Sequence, residues 1–135
     1  MRLLLDINVI LDVLLDREPW VAEAAQLLSA VESGQAQGSI AGHTVTTVYY
    51  VVRSVRPRDE AVAAVRDLLS IVDVVPVTEA DFHHALSLEL ADFEDAVQAA
   101  CALKIEADFV VTRDAKGYRD VTVPAEPPGV VLAVL

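Results

Sequence analysis

The sequence predicts an α/β fold, a parallel sheet covered by helices, and three observations predict it. Hydrophobic residues make up 54% of the 135 and aromatics only 5%, so the core is built from Val, Leu, Ile and Ala. That composition suits strands buried on both faces better than a β-sandwich. Short apolar, β-branched runs alternate with helical stretches along the chain, the pattern of parallel strands joined by crossovers. Residues 92–114 then read as one complete unit: an Ala-rich helix, a tight return at 106–108, a buried strand at 109–112, and the polar pair Arg113-Asp114. One domain spanning 1–135 is expected, long enough for a real core.

The elements follow in order. Arg2-Leu3-Leu4-Leu5 is a first strand, and a helix starts at once, because no Gly or Pro intervenes before Leu11. Asp6 is its N-cap or first-turn residue, and Asn8 sits in the same turn. Residues 12–19 form a polar connector, and 20–31 a second helix with an apolar stripe of Val21, Ala24, Leu27, Leu28 and Val31, ended by Ser33-Gly34. Residues 37–41 form a second strand, and 42–44 a turn and helix start; His43 there is a loop or capping polar, with no second His or Cys at ligand spacing. Residues 45–55 are β-branched and aromatic, which favours strand by propensity, yet a parallel sheet needs a crossover here, so helix is expected. Pro57 starts the next helix as its N1 residue, with Ala61, Val62, Val65, Leu68 and Leu69 inward. Residues 72–76 form a third strand. Thr78 caps the following helix with Asp81 three residues on. His83 and His84 point in different directions, one partly buried and one exposed. After Asp114, residues 115–118 turn, 121–123 form a last strand, and 129–135 a short apolar helix.

The totals exclude several function classes. The lone Cys101 rules out an intrachain disulfide and reads as a small buried hydrophobe, which points to the reducing cytoplasm. Leu3-Leu4-Leu5 is stopped by Asp6, too short for a signal peptide, and no run approaches a membrane span. With 10 Lys+Arg against 21 Asp+Glu, net −11, the chain is a poor generic nucleic-acid binder. Its acids are either a solvated surface, or a subset of them converges on a divalent cation or a basic partner.

Position favours convergence for some of them. Asp6 and Asp114 each follow a strand, where open parallel sheets place ligands. Asp92 and Asp95, three apart, share one face of a first helical turn that starts near the same edge. Clustered carboxylates repel, so they persist around a cation or with raised pKa values. An all-oxygen set selects Mg²⁺ or Mn²⁺, ions suited to phosphodiester cleavage.

Leu3-Leu4-Leu5-Asp6-Ile7-Asn8, Asp92-Phe93-Glu94-Asp95-Ala96 and Asp108-Phe109-Val110-Val111-Thr112-Arg113-Asp114 together resemble the three acidic motifs of the PIN-domain family, in order and spacing over nearly the whole chain. The resemblance implies a three-layer α/β/α sandwich around a central parallel sheet and Mg²⁺- or Mn²⁺-dependent cleavage of RNA. It implies a toxin of a type II toxin–antitoxin pair, a homodimer held inactive by a small antitoxin. Carried over, Asp6, Asp95 and Asp114 are catalytic metal ligands and Asp92 an outer or secondary one. Thr112 positions a ligand or water, and Asn8 is an accessory candidate. One departure stands out: Thr47, before Val48-Tyr49-Tyr50, occupies the place of an expected glutamate. A hydroxyl is a weak Mg²⁺ ligand, so the alternative is a weakened or inactive module that binds RNA or protein. An aspartyl-phosphate hydrolase fits poorly, because Asn8 stands where its second acid belongs. A receiver-type domain fits poorly too, because Ile7 follows Asp6.

Overall fold

The computed structural model describes all 135 residues. Its centre is a five-stranded, wholly parallel sheet in the order β3-β2-β1-β4-β5. The strands are β1 (Arg2–Leu5), β2 (Gln37–Ala41), β3 (Asp73–Val75), β4 (Phe109–Val111) and β5 (Ala125–Glu126). The helices are α1 (Ile7–Leu14), α2 (Val21–Glu32), α3 (Gly42–Val55), α4 (Arg58–Ile71), α5 (Glu79–Ser87), α6 (Phe93–Lys104) and α7 (Pro128–Leu132), with a 3₁₀ turn at Ala115–Tyr118.

The period-2 alternation of β1 separates the layers. Leu3 and Leu5 point into a cluster with Val9, Ile10, Leu27, Ile40, Val48 and Leu68, beneath α1 to α4. Leu4 points the other way, against Ala99, Cys101 and Ala102 of α6 and Val110 of β4. α5 packs beside α6 through Ala85, Ala96, Val97 and Ala100. This is the three-layer α/β/α sandwich. No helix is long and apolar enough to cross a membrane.

The strand order carries the functional consequence. From β1 the chain winds outward through β2 to β3, then returns to place β4 on the other side of β1. The crevice beyond β1 and β4 is therefore the topological switch point, where open α/β sheets bind ligands. Leu5 pairs with Val111, and the Asp6 amide donates to the Val111 carbonyl at 2.9 Å. The strand ends bearing Asp6 and Thr112-Arg113-Asp114 are thus adjacent.

Residues 45–55 are helical, as the crossover argument requires: Thr44, Val48 and Val52 form the buried face, so packing overrides β propensity. Several expectations need correction. Asp12 belongs to helix α1, not to a connector, and is fully buried. Gly42 to Thr44 is no separate turn, because α3 starts directly at Gly42. Pro57 is the N-cap of α4 rather than its first helical residue, and Leu69 faces solvent at 45% exposure while Ala61 and Leu68 are buried. His83 and His84 are both exposed. The last strand is Ala125–Glu126 rather than 121–123, and α7 ends at Leu132. Pro124 explains the shift: its carbonyl accepts from the Val110 amide, so pairing with β4 begins after the loop apolars have been used.

Thr78 and Asp81 form a reciprocal cap at α5: the Asp81 amide donates to Thr78 Oγ1 at 3.4 Å and the Thr78 amide to Asp81 Oδ2 at 2.8 Å. Lys104 of α6 donates to the same Oδ2 at 2.8 Å, and this hydrogen bond holds the Asp81 carboxyl down at about 2. Thr78→Ala is expected to lower the unfolding free energy by about 1 kcal/mol, read by urea denaturation. A change under about 0.3 kcal/mol would mean the cap is dispensable.

Candidate active site

Asp6 is the most buried acid of the cluster, 4% exposed, at the junction of β1 and α1. Its side chain does not cap its own helix. It accepts from side chains of three other elements instead: Gln98 Nε2 on Oδ1 at 3.0 Å, and Thr112 Oγ1 at 2.7 Å and the Tyr118 hydroxyl at 3.3 Å on Oδ2. Asn8 Nδ2 adds a longer bond to Oδ2 at 3.4 Å. The simple capping explanation for Asp6 therefore does not hold.

Thr112 fixes the loop after β4. Its hydroxyl donates to Asp6 and accepts from the Asp114 amide at 3.0 Å and from Asn8 Nδ2 at 3.3 Å. Asn8 Oδ1 accepts from the Arg113 amide at 3.4 Å. Asn8 and Thr112 thereby staple the start of α1 to the loop that carries Asp114. Asp114 itself is exposed.

The second pair of acids arrives with α6. Asp92 is its N-cap rather than a first-turn residue, and its Oδ1 accepts from the Asp95 amide at 2.9 Å. The Asp95 side chain is half-buried, and its Oδ1 shares the Tyr118 hydroxyl, at 3.3 Å, with Asp6. Its other oxygen lies against Gly117: a Cβ added there would meet Asp95 Oδ2 at 2.8 Å and Asp114 Oδ2 at 3.8 Å. Asp95 thus stands between Asp6 and Asp114. Burial, then the charges of Asp6 and Asp92, push its carboxyl up to about 6, with Asp114 adding to the rise. Tyr118, buried between two carboxylates, is pushed well above the ordinary phenol range.

The donor set is all oxygen, and burial together with neighbouring negative charge disfavours the ionised form of Asp95, a strain that a hard divalent cation would relieve. As placed, no three acids or imidazoles are spaced to close around one ion, and Tyr118 stands between Asp6 and Asp95. Binding an ion at Asp6, Asp95 and Asp114 requires rotation of these side chains. Thr47 is not among the groups bonded to this cluster. Its hydroxyl donates to the His43 carbonyl one turn back at 3.2 Å. His43 lies in the first turn of α3 with neither ring nitrogen partnered, and burial lowers its pKa against the opposing pull of Glu94.

Sequence reasoning missed Tyr118, Gln98 and Gly117. Gln98 carried a signal: it is a polar residue three after Asp95, inside the apolar run of α6, and fully buried. Tyr118 is a lone aromatic in a polar loop, and only the fold shows it turning inward. Beside the cluster lies a cavity of about 270 Å³ lined by Glu89, Leu90, Lys116, Gly117, Arg119 and Asp120.

Comparison with known proteins agrees with this fold. A ribonuclease VapC1 from Aquifex aeolicus is 22% identical over 122 residues, covering 87% of this chain and 84% of that one. VapBC2 from Rickettsia felis, solved bound to a DNA fragment from its promoter, superposes with a TM-score of 0.73 at 13% identity, over 93% of this chain and 97% of that one. VapC20 from Mycobacterium tuberculosis, described as a sarcin-ricin-loop-cleaving toxin, gives 0.70 at 16% identity, over 85% and 92%. The sequence model of the PIN domain matches residues 2–116, which contain every acid of the cluster, and the chain belongs to the PIN domain family.

Proposed function

We propose that this protein is a Mg²⁺- or Mn²⁺-dependent endoribonuclease and the toxin of a type II toxin–antitoxin pair. The observation that carries the reading is the approach of Asp95 to Asp6, through the Tyr118 hydroxyl they share, and to Asp114 across Gly117, at the switch point. Matches to proteins described as a ribonuclease and as a sarcin-ricin-loop-cleaving toxin support the reading. Asp6, Asp95 and Asp114 would hold the ion, and Asp92 would act from outside. When bound, the ion neutralises charge developing on the phosphate and activates water for attack.

The chain's own residues supply the rest. Gln98, Thr112 and Asn8 orient Asp6 by donating to it, so its acceptor directions are set before substrate arrives. Asp92 holds the backbone of Asp95 through the cap. The Tyr118 hydroxyl keeps its proton and offers it to Asp6 or Asp95, one at a time. Lys116 and Arg119 line the adjoining cavity together with Glu89 and Asp120, so two cations stand there to meet phosphates on an otherwise acidic surface. Incubation of a panel of RNAs with Mg²⁺, Mn²⁺ or EDTA tests the proposal: cleavage with either metal and none in EDTA is expected. Binding of RNA without cleavage under any metal would favour the inactive module instead.

Gly117→Ala is expected to weaken Mn²⁺ binding at least severalfold by titration calorimetry, because its methyl must displace the Asp95 carboxylate. Unchanged affinity would show that Asp95 reaches the ion from a rotamer that the added methyl does not obstruct. The small antitoxin and the homodimer belong to the same proposal. Exposed apolar residues such as Tyr50 and Val55, at 70% and 59% exposure, are available for such contacts. Light scattering at micromolar concentration should report a dimer, and a monomer at every concentration would count against it.

A further inference from the structure

Beyond the acid cluster, the rim of the site carries an aromatic–cation pair that the chemistry above does not use. Trp20, the one tryptophan of the chain, is 44% exposed at the start of α2. The Arg113 guanidinium carbon lies 3.9 Å from its ring centroid. That guanidinium lies over one face of the indole, and the residue still keeps nearly half of its surface open to solvent. Arg113 is itself clamped: Nε and Nη2 donate to Asp12 at 2.6 and 3.1 Å, and Asp12 is fully buried. Of its five N–H groups, three remain free of that clamp.

The position matters as much as the geometry. Arg113 directly precedes Asp114, and its amide is bonded to Asn8 of the cluster. Asp12 lies six residues along α1 from Asp6, about 9 Å of helix rise. The pair therefore stands a nucleotide or two from the acids. An exposed indole backed on one face by a fixed cation offers a platform on which an unpaired base stacks. A duplex hides its base faces, so such a platform discriminates for single strands.

Resting on the ribonuclease reading above, we propose that Trp20 and Arg113 form a base-stacking platform that positions single-stranded RNA beside Asp114. Trp20 is a positioning residue here and takes no part in bond cleavage. A pair that merely braced the loop between α1 and α2 would leave RNA binding unchanged in Trp20→Ala.

The lone tryptophan makes the test direct. Wild-type protein in EDTA, where RNA stays intact, is titrated with a single-stranded dodecamer and with a duplex of equal length. Tryptophan emission is recorded together with the anisotropy of a labelled strand. Saturable quenching by the single strand and little by the duplex is expected. Trp20→Ala should weaken single-strand binding roughly tenfold and Trp20→Phe should restore most of it, with circular dichroism unchanged in both. RNA that binds wild type without altering emission, and binds Trp20→Ala equally well, would overturn the platform and leave the ribonuclease reading intact. No binding in EDTA together with no cleavage in Mn²⁺ would overturn both.

Discussion

Replacing Asp95 by Asn is expected to reduce metal-dependent RNA cleavage at least a hundredfold while making the metal-free protein more stable at neutral pH. Its carboxyl is raised from an ordinary 3.8 to about 6. The folded state therefore holds this proton more tightly than the unfolded chain does. The resulting stabilisation is complete below about pH 3.8 and is lost as pH rises through about 6. With allowance for solvent screening, the loss is of the order of 1–2 kcal/mol. Asn keeps the shape and cannot ionise, so the variant should lack that step and exceed wild type by a similar amount at pH 7.5. Denaturation curves across pH 4 to 8 measure this. Thermal shift with Mn²⁺ completes the comparison: wild type should be stabilised and Asp95→Asn much less. Equal cleavage by both proteins, or cleavage surviving EDTA, would show that the activity does not arise from these acids.

The largest stability effect should come from outside the acid cluster. Arg113→Ala strips the partner from Asp12, whose side chain is 1% exposed. Arg17 approaches the same carboxylate only at 4.0 Å and from a more exposed position, so it compensates weakly. An abandoned buried charge costs about 3 kcal/mol, roughly 10 °C in Tm for a chain of this size. The double variant Asp12→Ala/Arg113→Ala should recover at least half of that loss, because the orphaned charge is gone. If Arg113→Ala cost under 1 kcal/mol, the pair would behave as a surface ion pair despite its burial. This cost is also why the stacking platform is tested at Trp20 rather than at Arg113.

The layering and the meeting of Asp6 with the Asp114 loop were legible in the sequence, because both rest on strong patterns. Leu3-Leu4-Leu5 and Phe109-Val110-Val111 are short apolar runs ending in acids, and right-handed crossovers put such ends on one edge. Even the β-branched helix α3 could be read once topology was weighed against propensity. Asp12 was misread because charge alone suggested solvent. Its partner lies 101 residues away, and nothing local shows that pairing. The last strand was misplaced because Val121 and Val123 look like a strand, whereas a two-residue element paired only with β4 leaves little pattern. Asp92 could be placed at the helix start, yet its work as a cap is a matter of one backbone angle. Tyr118 was invisible because an aromatic in a polar loop normally belongs to the surface.

The alanine face of α6 carries one more consequence. Asp6 and Asp114 ride on the hydrogen-bonded β1–β4 pair, whereas Asp95 rides on a separate body, the helix. Ala99 and Ala102 meet Leu4 and Val110 in the layer between them, so single methyl groups set how near the helix axis comes to the sheet. Ala99 is one turn along from Asp95, on the same side of α6. The helix–sheet gap thus works as a caliper, and the opening of its jaws is the reach of Asp95 toward Asp6. A bulkier side chain at Ala99 would widen the jaws without touching any acid. Small residues far from the solvent thereby set the span across which an ion must be held.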